Sequence, residues 1–260
     1  MTARNDGAGD AFFVGWARPP RGLSRFLLGV GIGLIALFGL VGYLVAATQV
    51  DPGDGGFRGW GRQTVTGILT ADPYPVVHVV ESDRYPVGHT LLLSGQGKRG
   101  VQARAEALDG QLVVVSGAPM NRGSINMLQL RGGANGMQAA DVSEEASPVE
   151  TPTAEPLGRW RLTGEICDGK CYTGAMRPGT GLAHRACANL CLIGGAPPVF
   201  VSTGAVDGEV FFLLGDAEGG PVTDAVLDHV GLLVDVEGSV ERRGTLMVFR
   251  IDPETLGLAE

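Results

Sequence analysis

Residues 111–130 read QLVVVSGAPMNRGSINMLQL, and residues 232–251 read LLVDVEGSVERRGTLMVFRI. Laid over one another without a gap, they put Gly117 on Gly238, Arg122 on Arg243 and Gly123 on Gly244. Each is an apolar run that ends at glycine, a polar turn carrying Arg-Gly, and a second apolar run, which is the pattern of a β-hairpin. Upstream, Val65-Thr66-Gly67-Ile68-Leu69 resembles Leu162-Thr163-Gly164-Glu165-Ile166, and Leu91-Leu92-Leu93-Ser94-Gly95 resembles Phe212-Leu213-Leu214-Gly215. The chain therefore holds a duplication.

Each copy places a short helical stretch before its hairpin: Val101 to Leu108, closed by Asp109-Gly110, and Val222 to Val230, entered through Pro221 and closed by Gly231. Three strands, a helix and two strands is the element order of an OB-type barrel. The fold expected is mainly β, with an N-terminal transmembrane helix followed by two tandem OB-like five-stranded barrels. The barrels occupy residues 63–133 and 158–260, and the second carries an insertion at 167–197 that holds all four cysteines.

Outward from the barrels lie two linkers, a Gly-rich spacer at 49–62 and an acidic, Pro-rich stretch at 134–157. The second contains Asp141, Glu144, Glu145, Glu150 and Glu155 without a base, so most of the net charge of -8 belongs to it. The barrels are then nearly neutral. With 20 scattered basic residues among 260 and 6% aromatics, no groove interleaves cations with stacking rings, and a nucleic-acid partner is not expected.

From Phe26 to Thr48 the chain runs FLLGVGIGLIALFGLVGYLVAAT without a charge. At 1.5 Å per residue that is roughly 34 Å of helix, enough for a hydrocarbon core of about 30 Å. A cleaved signal peptide is the rival reading, but signal cores are shorter, about 7–15 residues. Arg18, Arg21 and Arg25 precede the run, and the first base after it is Arg58, beyond Asp51 and Asp54. Positive charge stays inside. The expectation is a bacterial inner-membrane anchor at 26–48, a cytoplasmic tail at 1–25, and residues after about 49 in the periplasm. In the tail, Phe12-Phe13-Val14-Gly15-Trp16 is an apolar patch that needs cover, from the inner headgroup layer or from a partner subunit.

The insertion reads CDGKCYTGAMRPGTGLAHRACANLCLIGGAPP from Cys167 to Pro198. Leu182 to Ile193 is helical in pattern, stopped by Gly194-Gly195 and Pro197-Pro198. On that helix His184, Cys187 and Cys191 fall at i, i+3 and i+7, on one stripe. Cys167 and Cys171 flank a turn, Asp168-Gly169-Lys170. Four exported cysteines read first as two disulfides that staple the insertion, pairing one of Cys167 or Cys171 with one of Cys187 or Cys191. The alternative is one zinc or copper ion held by Cys167, Cys171, His184, Cys187 and Cys191. Thiol-disulfide exchange ordinarily uses Cys-x-x-Cys at a helix N-terminus, which this segment lacks.

The string GE-I-x-D-x-KC-Y-x-G-x-M-x-PG-x-G-x-x-H-x-x-CA-x-x-C-x-x-GG-x-PP, Gly164 to Pro198, resembles a segment of bacterial envelope proteins to which no activity is attached. That resemblance covers about the second barrel and implies a recurring module. The layout of an anchor followed by an exported OB barrel is also similar to the haem chaperones of cytochrome c maturation. Their His-x-x-x-Tyr is missing, because none of His78, His89, His184 or His229 has tyrosine four residues on.

Other chemistry is sparse. Ser94, Ser116, Ser124 and Ser202 sit outside any Gly-x-Ser-x-Gly context, and Gly215 to Gly220 lacks the Lys-Ser or Lys-Thr of a phosphate loop. Asp72-Pro73-Tyr74-Pro75 reads as a rigid turn, with docking of a partner as its functional alternative. The function expected is therefore non-enzymatic: an exported accessory or assembly subunit of a membrane-associated complex of respiratory type, without cofactor or small-molecule substrate. Its partners would be the bilayer and that complex. The alternative is a periplasmic copper- or zinc-binding protein.

Overall fold

The computed structural model describes residues 21–48, 53, 55–57, 61–133, 135–140 and 151–260. The aromatic patch at Phe12–Trp16, and residues 141–150 of the acidic linker, lie outside the described residues. The chain divides into two compact units, Met1–Asp51 and Pro52–Glu260.

In the first unit, α1 spans Arg21–Thr48. Its stretch Leu23–Thr48 is long and apolar enough to cross a membrane. The helix begins before the uncharged run does, because the residues ahead of Phe26 continue it without a proline.

The second unit is mainly β and contains two closed five-stranded barrels. The first is built from β2 (Gln63–Thr70), β3 (Val76–Ser82), β4 (Thr90–Ser94), β5 (Leu112–Arg122) and β6 (Ile125–Leu130). A short helix, α2 (Gln102–Glu106), lies between β4 and β5. The strands run β2-β3-β4-β6-β5, and β5 closes back on β2. Only β4 and β6 are parallel. A two-residue strand, β1 (Gly56–Phe57), adds to β5.

Residues Met137–Ala139 form β7, also paired with β5, so part of the stretch read as linker belongs to the first sheet. Likewise β8 (Glu155–Asp168) starts inside that stretch, because its N-terminal end runs on as a ribbon beside β11 (Leu233–Arg243), as far as Arg242 opposite Glu155.

The second barrel repeats the plan with β8, β9 (Pro198–Val206), β10 (Glu209–Asp216), β11 and β12 (Leu246–Ile251), and with α4 (Thr223–Val226) before β11. A two-residue strand, β13 (Gly257–Leu258), pairs with β11. The duplication holds in the register as well as in the order. Leu92 pairs with Met127 in the first barrel and Leu213 with Val248 in the second, at the offset that superposes the two hairpins. Gly67 opposite Val113 is matched by Gly164 opposite Val234. Gly117 and Gly238 share a reason to be glycine: a Cβ at either would fall on a carbonyl oxygen of the neighbouring strand, that of Gln129 or Arg250.

Strand alternation explains where the cores lie. Leu91 and Leu93 point into the first barrel with Val65, Leu69, Val113 and Leu128, under Val101 and Ala105 of the α2 region. Phe212 and Leu214 point into the second with Ile166, Val234 and Phe249, under Val222 and Val226. The alternate residues face outward, and they meet each other. Leu92, Met127, Ile125 and Val76 pack against Leu213, Val248, Leu246 and Val199, their own counterparts in the duplication.

The seam is thus reciprocal, like an isologous dimer within one chain. Gly123 of one hairpin turn lies on the ring of Phe211, and Gly244 of the other lies on Thr90, the position equivalent to Phe211. Each fully buried large side chain there contributes about 1.5–3 kcal/mol. This is why Leu91-Leu92-Leu93 and Phe211 to Leu214 are continuously apolar: both faces of those strands are covered. The Pro-flanked turn also serves the seam. Tyr74 is buried, and its hydroxyl accepts a hydrogen bond from the Val222 N–H at the entrance to α4, at 3.1 Å.

Candidate metal centre

The insertion leaves the second barrel at the end of β8, where Asp168 is fully buried. Asp168 Oδ1 accepts the Cys171 N–H at 2.7 Å, which turns the chain into a wide helical turn over Cys171–Ala175. Thr173 Oγ1 donates to the Gly169 carbonyl at 2.8 Å and holds that turn closed. After a loop the chain enters α3 (Arg185–Ile193), with His184 at its N-cap, and Gly194-Gly195 end it before β9. The helix starts later than Leu182 because Gly179 and Gly181, both at positive φ, shape the approach.

A loop of the first barrel, residues 95–100, lies against this insertion. The Gly100 N–H donates to the Gly194 carbonyl at 2.7 Å. A Cβ at Gly100 would land on the Gly195 carbonyl oxygen, so only glycine permits the approach. Lys170, buried in the insertion, donates from Nζ to the carbonyls of Gly95, at 2.6 Å, and Gly97. These contacts hold Lys98 over α3.

Three of the four cysteines converge there. The Sγ atoms of Cys171, Cys187 and Cys191 all lie within 4.8 Å of one another, with Cys171 and Cys191 at 3.9 Å. An ion held about 2.3 Å from each of two sulfurs subtends a sulfur–sulfur edge of about 3.8–4.0 Å. Met176 Sδ is 3.5 Å from Cys187 Sγ. Lys98 Nζ is 2.7 Å from Cys187 Sγ, 3.5 Å from Cys191 Sγ and 3.1 Å from the Cys187 carbonyl. Cys171 and Cys191 are buried and Cys187 is half-buried. Cys171 and Cys191 border a cavity of about 470 Å³ that Lys98, Lys170, Met176 and Gln96 also line.

The thiols are electrostatically unequal. The hydrogen bond shared with Cys191, and then burial, raise the Cys171 thiol far above the ordinary thiol range. Cys191 is lowered, first by that hydrogen bond and then by the nearby Lys98 ammonium, acting against the cost of burial. Lys98 is raised, chiefly by its hydrogen bond to Cys187. Lys170 is lowered by burial, which outweighs the attraction of Cys191, Cys171 and Asp168.

The other two sequence candidates are outside the group of three sulfurs. His184 shares the helical stripe, but its Nε2 is 3.0 Å from Asp168 Oδ2, and both side chains are buried. Asp168, His184 and Cys171 form a second close group, which shares Cys171 with the first. Cys167 belongs to the seam between the barrels, where its thiol donates to Glu165 Oε1 at 3.3 Å; burial raises it well above the usual range.

The staple expected from the sequence is not what the structure holds, since all four cysteines are free. Two bridges need two pairs, and strand alternation turns Cys167 away from the other three. The nearest pair, Cys171 and Cys191, stands at about twice the length of a disulfide. Met176 had a signal in the sequence, as a soft donor inside the insertion. Lys98 had none, because it reaches the site from the other barrel.

Compared with known proteins, the chain matches no family model, no curated protein and no solved structure.

Proposed function

We propose that this protein is a membrane-tethered binder of a soft metal ion, held by the thiols of Cys171, Cys187 and Cys191. The observation that carries this reading is the convergence of three sulfurs, from the turn Cys171–Ala175 and the helix α3 that follows it, within 4.8 Å of one another. Thiolate donors select soft or borderline ions, and copper(I) and zinc are the biological candidates. The thioether of Met176 beside Cys187 supports a sulfur-rich site.

In this reading α1 is an inner-membrane anchor with its N-terminus in the cytoplasm, and the barrels lie on the exported side. The closed strand order, with its single parallel pair and a helix before the final hairpin, supports an OB-type assignment for both barrels. The insertion then belongs with the envelope-protein segment it resembles.

A second reading, an accessory subunit of a membrane-associated complex, is favoured by α3. Its exposed face carries Ala186, Leu190 and Ile193, an apolar stripe beside the sulfur cluster, with exposed Ala183 in the turn before it.

The test is to purify the full-length protein anaerobically in detergent and measure metal per chain and reactive thiols before and after chelation. About one copper or zinc per chain, lost in Cys191→Ala, supports the reading. Reduced thiols that take up neither ion rule it out.

A further inference from the structure

We infer that the sulfur cluster selects a monovalent soft ion, of the copper(I) and silver(I) class, over divalent zinc, and that Lys98 is the residue that sets this choice. The inference rests on the metal-binding reading and adds the class of ion. Three features of the site point the same way.

The first is coordination number. A structural zinc ion takes four ligands, almost always in a tetrahedron. The cluster offers three thiols, and a further donor beside Cys187 is the Met176 thioether, a soft group suited to copper(I). The fourth approach is taken by Lys98, whose ammonium touches both Cys187 and Cys191 and donates to the Cys187 carbonyl. An ammonium has three donors and no lone pair, so it cannot ligate the ion and covers the position instead.

The second is the commitment of the hard donors nearby. Asp168 spends one oxygen on the Cys171 N–H and the other on His184. Glu165 Oε1 accepts from the Gly181 N–H and from the Cys167 thiol. A zinc ion that recruited either carboxylate, or the imidazole, would compete with these hydrogen bonds, and at Asp168 Oδ1 with the one that holds the turn presenting Cys171.

The third is charge. Lys98 and the buried Lys170 bring two ammonium groups to the cluster, one from each barrel. Their repulsion on a bound ion scales with the charge of that ion, so a divalent ion meets twice the opposition of a monovalent one. N–H donors on thiolate sulfur also reduce the negative charge that a divalent ion would need.

The experiment uses full-length protein in detergent, reduced and metal-free under anaerobic conditions. Silver(I) or chelator-buffered copper(I) is titrated in competition with zinc, and cobalt(II) reports tetrahedral thiolate coordination through its visible bands. Lys98 is exposed, so its substitution does not disturb a core. Wild type is expected to bind one monovalent ion per chain and to show no tetrahedral cobalt bands. Lys98→Glu, which uncovers the fourth position and supplies an oxygen ligand, is expected to lower the preference for copper(I) over zinc at least about tenfold and to bring the cobalt bands in. Lys98→Met, which removes only the charge, should lower it by less.

Unchanged preference in both variants overturns the inference while leaving metal binding intact. So does tight zinc binding by wild type that is lost in His184→Ala, because the ion then sits in the group of Asp168, His184 and Cys171. If the reduced protein binds neither ion, the metal-binding reading falls and this inference falls with it.

Discussion

Lys98, in the loop that follows β4 of the first barrel, sets its ammonium nitrogen 2.7 Å from the sulfur of Cys187, on α3 of the second. The sulfur cluster belongs to the insertion of one copy of the duplication, but the charge over it belongs to the other copy. The reciprocal seam between the barrels therefore does more than bury apolar surface. It delivers a residue to the site.

The cysteines divide by location, and their substitutions should divide likewise. Cys191→Ala or Cys171→Ala is expected to abolish metal uptake. Cys167→Ala, in the seam, should cost about 1 kcal/mol of stability and leave metal uptake unchanged. Metal analysis and urea unfolding of each variant check this. Loss of metal in Cys167→Ala would contradict the geometry.

Lys170→Met should destabilise the barrel pair by about 2–4 kcal/mol, because the carbonyls of Gly95 and Gly97 lose their donor inside the protein. It should also free the 95–100 loop. Urea midpoints with an unchanged m-value, together with faster amide exchange at Gly100, are the expected signature. A loss below about 0.5 kcal/mol, within the range of ordinary surface substitutions, would show that the clamp is not buried in solution.

His78 introduces a dependence on pH. Its Nε2 is 2.8 Å from Thr70 Oγ1 and its Nδ1 is 3.3 Å from Thr90 Oγ1. Thr90 Oγ1 donates to the Arg243 carbonyl, so it accepts from Nδ1–H, and the neutral ring bridges the two threonines. Burial, helped by Arg243, lowers its pKa from 6.5 to about 4. Between those values the unfolded chain binds the proton and the folded chain does not, so stability is full above pH 6.5 and falls as pH drops towards 4. The loss amounts to at most about 3 kcal/mol. Thermal unfolding at pH 7 and pH 4.5 should show it, and the difference should shrink in His78→Gln.

An alkaline phosphatase fused after Glu260 is expected to be active, and a fluorescent protein that matures only in the cytoplasm to stay dark, since Arg18, Arg21 and Arg25 precede the uncharged run and Asp51 and Asp54 follow it. The reverse result would place the thiols in a reducing compartment and remove the exported setting from the proposed function.

The two barrels were legible because a β-hairpin writes itself locally: alternating runs, a turn at Arg-Gly, and glycines where a neighbouring strand comes close. Repetition of those local marks at one offset revealed the duplication, and composition alone set apart the apolar helix. The seam was not legible. Leu92, Met127, Leu213 and Val248 are outward residues of their barrels, and nothing near them in sequence says that another sheet will cover them. The insertion was readable as chemistry but not as geometry. The spacing of His184, Cys187 and Cys191 put three donors on one helical stripe, and the fold then turned His184 to Asp168 and drew in Cys171 and Met176.

Sequence by itself thus determined the elements, their duplication and the residue types gathered in the insertion, since propensity, periodicity and turn chemistry act over a few neighbours. Tertiary structure alone decided which thiols meet, that Cys167 is left out, and that Lys98 stands over the cluster. The first two follow from how the insertion folds back on the end of β8, and the last joins positions far apart in the chain through the way the two barrels bury their outer faces against each other.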